Sequence, residues 1–157
     1  DLHPGVLQRL TASRHGGLAA PRARALALAA LRELHEETGL VIGTPRPAGN
    51  HSANLAPLRY VARAITPPGS VRRFDTRFFA AFVDEAGVDL ATIRDSQELH
   101  DLRWVGLGPD ETIRMPEITR HILDELANLM ETDPTLSYGR PVPFYFARYR
   151  KFIREEI

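Results

Sequence analysis

The chain predicts an α+β fold, a mixed β-sheet held between helices. Three observations carry that reading. Residues 23–34 are rich in alanine and leucine, which favour helix. Residues 116–132 repeat Ile118, Ile122, Leu126, Leu129 and Met130 at helical spacing. Between them, residues 72–83 alternate strictly, with Phe74, Thr76, Phe78, Ala80 and Phe82 on one face of an expected strand. Helices flanking strands in this order pack as layers about one sheet.

Each element has its own signal. Residues 4–12 are expected to form a short helix within a segment, 1–20, that reads as an insert or loop. Pro21, a residue favoured in the first helical turn, starts the main helix. Gly39 ends it as a left-handed residue just past the last turn. Ala27, Leu31 and Leu34 share its packing face. Leu40-Val41-Ile42 reads as a short buried strand, and 43–57, rich in Pro, Gly and Asn, as a loop. Residues 58–65 have strand composition and stop at the turn residues Pro67-Pro68-Gly69. After a turn at 84–87, residues 98–105 are expected to add a strand carrying the only tryptophan, Trp104. Asp110 or Thr112 is placed to cap the last helix, whose regular part begins at Pro116 and ends at Asp133-Pro134. The aromatic, basic tail, 136–157, is left to dock on the body or on a second subunit, so a homodimer is among the expected states.

Composition narrows the classes. At 157 residues the chain is one domain, long enough to bury a core. The formal charge balances to zero, so nothing argues for nucleic acid or membrane lipid as a partner. No apolar run approaches the length of a membrane-spanning helix. The absence of cysteine excludes disulfides and thiolate chemistry and fits a cytoplasmic setting. There is no P-loop, no G-x-S-x-G elbow, no H-E-x-x-H and no dinucleotide fingerprint.

The most informative stretch is Arg32-Glu33-Leu34-His35-Glu36-Glu37-Thr38-Gly39-Leu40. On a helix Glu33, Glu36 and Glu37 fall within an arc of roughly 100°. Like charges so close repel by a few tenths of a kcal/mol per pair. They also lie in the last turn, where the helix dipole disfavours anions. One reading is a solvated acidic helix end with a glycine cap. The other is a cluster neutralised by a cation, and oxygen-only ligands point to Mg²⁺ or Mn²⁺ rather than zinc.

The nonapeptide resembles the second half of the Nudix box, G-x5-E-x7-R-E-U-x-E-E-x-G-U with U aliphatic. Arg32, Glu33, Leu34, Glu36, Glu37, Gly39 and Leu40 match all seven specified positions of its R-E-U-x-E-E-x-G-U half. The first half does not match: the family's glutamate falls on Arg24 and its glycine on Leu18, with Gly16-Gly17 out of register. Either the box is degenerate or it is interrupted by an insertion. Asp1-Leu2-His3-Pro4 reads as mid-loop sequence, so strands and a glycine loop are expected to precede Asp1.

The resemblance implies a Nudix-like α-β-α sandwich. It implies a hydrolase that cleaves a P–O–P bond in a nucleoside diphosphate linked to another moiety. Glu36 and Glu37 take the family's metal-binding positions, and Glu33 that of water activation or a further ligand. Arg32 takes the place of a structural arginine, within i,i+4 reach of Glu36. Glu98 is a second-tier ligand or base, with a surface glutamate as the alternative. Arg72, Arg73 and Arg77 suit diphosphate recognition through their guanidinium forks, or else form surface pairs on an exposed strand. Their segment resembles the Thr-Pro…Arg-Phe-Asp-Thr-x-Phe-Phe pattern of long-insert Nudix proteins, a branch that includes coenzyme A diphosphatases. The non-enzyme alternative is a Nudix-fold ligand-binding or regulatory domain with weakened turnover.

Overall fold

The computed structural model describes residues 1–12, 16–45, 51–69, 72–96, 100–108, 112–149 and 151–157. The chain runs α1 (Pro4–Thr11), α2 (Ala20–Thr38), β1 (Gly43–Pro45), β2 (His51–Ala53), β3 (Arg59–Ile65) and β4 (Asp75–Ala80). It continues through α3 (Val83–Ala86), α4 (Glu117–Thr132), β5 (Pro143–Arg148) and β6 (Lys151–Glu156). The architecture is mixed α+β, with one four-stranded and one two-stranded sheet among the described residues.

The larger sheet has the order β4-β3-β5-β6. β3 pairs antiparallel with β4 and parallel with β5, and β5 pairs antiparallel with β6, so the sheet is mixed. Neighbouring residues of a strand point to opposite faces, and here they serve two separate cores. Phe79 and Tyr60 join the core built by Leu2, Val6 and Leu10 from the α1 segment and Ala23, Ala27 and Leu31 of α2. Phe78, Ala62, Ala64 and Tyr145 pack instead with Ile118 and Ile122 of α4. No helix among the described residues is long and apolar enough to cross a membrane.

Both long helices form where their patterns place them. Pro21 sits in the first turn of α2, and Gly39 closes it with φ 79°, its N–H donating to the His35 carbonyl. α4 starts directly after Pro116, which itself takes the capping position expected of Thr112, and stops at Asp133. Asp110 lies outside the described residues. The segment expected to be an insert contributes three side chains to the core, Leu2, Val6 and Leu10. Arg9 Nε of α1 also donates to the Gly139 carbonyl at 2.6 Å.

Other expectations shift, each for a local reason. Residues 40–42 are buried at Leu40 and Ile42 but do not pair as a strand. The Leu40 N–H turns back to Thr38 Oγ1 instead. Pairing begins at Gly43, where the partner strand approaches so closely that a Cβ would meet the Ser52 carbonyl. The expected loop 43–57 therefore contains the β1–β2 pair. Among the described residues of 98–105 no strand forms, and Trp104 is 63% exposed. The N–H groups of Asp101 and Leu102 donate to the Asp95 carboxylate, which holds a bend there in place of a ladder. The strand expected over 72–83 is shorter: Phe74 precedes it, exposed, and Phe82 caps α3. The segment read as a tail forms β5 and β6. Phe144 and Tyr145 are both buried, because β5 is covered on both faces and shows no alternation.

Gly39 offers a direct test of how the end of α2 is held against the Thr92 segment. A Cβ there would lie 2.5 Å from the Thr92 carbonyl oxygen, on a backbone already in the left-handed region. Gly39→Ala is expected to destabilise the fold by about 2–4 kcal/mol, from strain plus overlap. Urea denaturation of both proteins measures it; a loss under about 1 kcal/mol, the cost of the left-handed residue alone, would show that the Thr92 segment yields.

Candidate functional site

α2 turns its alanine side inward. Ala23 and Ala27 have no exposed surface, and Leu31 continues the same stripe. With that rotation fixed, Glu33 and Glu36 emerge into solvent and Glu37 is half-buried. The three carboxylates expected to form a cluster therefore leave the last turns of one helix together.

Arg32 contacts two of them. Its Nη2 lies 2.6 Å from Glu33 Oε1, and its Nε lies 3.6 Å from Glu36 Oε1 across one turn. The hydrogen bond to Glu33, followed by the charges of Glu33 and Glu36, raises the Arg32 pKa above its ordinary value. Arg32 thus contacts two of the three carboxylates and offsets one of the three negative charges. Glu37 has no ion pair among the described residues. Thr38 Oγ1 donates to the Leu34 carbonyl at 2.6 Å and Gly39 N–H bonds His35, closing the last turn beneath the carboxylates.

Among the described residues no group of three His, Cys, Asp or Glu side chains lies close enough to share a metal ion. The donor chemistry of Glu33, Glu36 and Glu37 fits a hard divalent cation, since all three offer carboxylate oxygens. Their placement requires Glu33 and Glu36 to leave Arg32 before three ligands converge. Glu98 lies outside the described residues.

Beside the helix end is a hollow of about 200 Å³, lined by Thr38, Leu40, Ile93, Leu102, Arg103 and Trp104. Arg94 N–H donates to the Thr38 carbonyl at 3.0 Å and ties the 90s segment to the end of α2. The exposed indole of Trp104 therefore borders the same helix end as the carboxylates.

The three arginines named for phosphate recognition do not act alike. Arg72 and Arg73 are exposed, and Arg73 Nε donates to the Thr66 carbonyl. Arg77 is nearly buried and bonded to Asp75, with Nη1 3.1 Å from its carboxylate and 2.9 Å from its carbonyl. Asp75 also receives two 2.8 Å bonds from Arg63, which is 4% exposed and lies against the Phe144 ring. Arg63 was not singled out in the sequence. Its signal is an arginine within the apolar run of 58–65, where only a buried partner makes a charge tolerable. Burial alone pushes the Asp75 carboxyl up, but bonds and charge from Arg63 and Arg77 outweigh it, so its pKa falls below the ordinary value.

No protein-family model matches the chain, and no curated protein or solved structure matches it either.

The Arg63–Asp75–Arg77 group predicts a pH-dependent contribution to stability. A carboxyl with a lowered folded pKa stabilises above its unfolded value and loses that contribution as pH falls through the folded one. Asp75 is half open to water, so the cost of losing it lies at or below the lower end for a buried pair. Asp75→Asn is expected to destabilise by about 2–3 kcal/mol at pH 7. The deficit should shrink as pH falls below 3.8, the ordinary aspartate value. Urea unfolding across pH checks it; a deficit constant down to about pH 2 would assign the loss to packing rather than charge.

Proposed function

We propose that this chain is a Nudix-type hydrolase that uses Mg²⁺ or Mn²⁺ to cleave a P–O–P bond in a nucleoside diphosphate linked to another moiety. ADP-linked and coenzyme A-type compounds are the substrate class. One observation carries the reading: the Arg32–Leu40 stretch matches the second half of the box at every specified position, and its three glutamates leave the same helix end. Glu36 and Glu37 are assigned as ligands, with Glu33 as ligand or as the group that orients and deprotonates water. A bound divalent cation neutralises phosphate charge and lowers the pKa of its water. Arg32, in contact with both Glu33 and Glu36, offsets part of their mutual repulsion. Arg72 and Arg73, exposed beside the Thr66 turn, are assigned to the diphosphate; Arg77 acts through Asp75 by shaping that strand. Glu98 is assigned as a further ligand or base.

A second reading has its own support. Glu33 and Glu36 already share the single positive charge of Arg32, and the first half of the box is altered. Those features suit a Nudix-fold binding domain with weakened turnover.

Two experiments separate these readings. Glu36→Gln and Glu37→Gln are each expected to lower Mg²⁺-dependent turnover at least about 100-fold, or some 2.7 kcal/mol in barrier, by loss of a ligand. Thermal stability without metal should hold or rise slightly, because like-charge repulsion is relieved. Wild-type turnover at limiting Mg²⁺ in either variant removes that residue from the ligand set.

The second experiment follows the reaction itself. Hydrolysis of ADP-ribose and coenzyme A in ¹⁸O-water is expected to give two phosphorylated fragments, one carrying a single label, and no inorganic phosphate. Charge building on the bridging oxygen makes a phosphate monoester the leaving group. Label in a sugar or acyl carbon, or turnover undiminished by EDTA, overturns the hydrolase reading. Metal binding without turnover supports the binding domain.

A further inference from the structure

A second cavity lies on the α4 side of the sheet, away from the carboxylates. Its volume is about 630 Å³, within the range of small-molecule pockets. Ala64, Phe78 and Tyr145 of the sheet, Phe152 of β6, and Ile118 and His121 of α4 form much of its wall. The floor is low because β3 contributes alanine there, so the space between helix and sheet is left unfilled. No residue of α2 lines it.

Its walls specify a ligand chemistry. Tyr145 and Phe152 stack with ring centroids 5.7 Å apart and planes 13° apart. The His121 ring stands edge-on to both, 5.3 Å from Tyr145 and 6.4 Å from Phe152. Phe152, His121 and Phe78 offer aromatic surface to a flat ring, with Tyr145 packed behind them. Tyr145 has no exposed surface, yet its hydroxyl has no hydrogen-bond partner among the described residues. Such an orphan costs about 1–3 kcal/mol, a cost that a ligand's polar group removes. Glu117, at the start of α4, adds an acceptor at the wall. Among the described residues the lining contains no lysine or arginine, so an anionic group would enter beside a carboxylate without a fixed cation.

The geometry points to a binding site for an uncharged planar heteroaromatic compound bearing N–H donors, the chemistry of a nucleobase or nucleoside. The flat ring lies along Phe78 and Phe152, and its donors meet Glu117 and the Tyr145 hydroxyl. This site stands apart from the carboxylate end of α2, and its assignment does not rest on the hydrolase reading.

Adenosine, which has no P–O–P bond, tests it independently of any hydrolysis. Titration followed by amide NMR is expected to give saturable shifts at residues 64–67, 76–78, 117–121 and 152. AMP should bind at least about fivefold more weakly than adenosine. Phe152→Ala, at an exposed edge-strand position, should weaken adenosine at least about fivefold. Tyr145→Phe removes only the orphan hydroxyl, so it should hold or raise the thermal midpoint while weakening adenosine. No saturable shift up to about 10 mM, a free energy too small for a built site, overturns the proposal. So do shifts confined to α2, AMP binding as tightly as adenosine, or full adenosine affinity in both variants.

Discussion

The contact on which the candidate site depends is the close approach of α2 to the core through alanine. Ala23 and Ala27 are completely buried, four residues apart, and Leu31 extends their line by another turn. Side chains four apart stack on one helical face, so this stripe fixes the rotation of the helix about its axis. Every other position then has a determined direction. Glu33 and Glu36 emerge into water, and Leu34 packs against the same core. Gly39, pressed on the Thr92 carbonyl, and the Arg94 bond to Thr38 fix where the helix stops. Rotation and end point together place the carboxylates; no loop is needed to gather them.

Arg32 gives the glutamates a charge partner that does not depend on metal. An exposed ion pair is worth little, ~0–1 kcal/mol, so the clasp on Glu33 and Glu36 is readily exchanged. The free protein is thus spared the full repulsion of three carboxylates at the negative end of a helix dipole.

How much of this was legible depended on whether a residue has one neighbour or two. α2 and α4 each have one buried face, and their caps, Pro21, Gly39 and Pro116, stand at the observed boundaries. β5 is covered on both faces, so Phe144 and Tyr145 carry no alternation and the strand read as tail. Residues 100–105 have strand composition, but Asp95 takes the N–H groups that pairing would use. The carboxylate arc was legible from helical spacing alone. The Arg63–Asp75 bond was not, because it joins side chains from two strands whose register only pairing decides. The α4 cavity was hidden for the same reason, being an absence of volume at Ala64 opposite a helix more than fifty residues away.

One irregularity keeps the two faces of the sheet chemically distinct. β3 shifts register between Tyr60 and Ala62, so Tyr60 sits opposite Phe79 while Ala62 sits opposite Phe78. An extra residue in a strand reverses the direction of everything after it. Tyr60 is thereby placed on the face that carries Arg63, Asp75 and Arg77. Burial pushes its hydroxyl up to about 12, with both arginines drawing it back. Without the shift, Ala62 and Ala64 would share Tyr60's face, and Arg63 would point toward α4 with no Asp75 to meet it. A buried guanidinium without its carboxylate costs several kcal/mol, on the order of 3–5. The shift at Val61 therefore sets the charged group on the α2 side. It also leaves the small, uncharged alanines that give the α4 side its cavity.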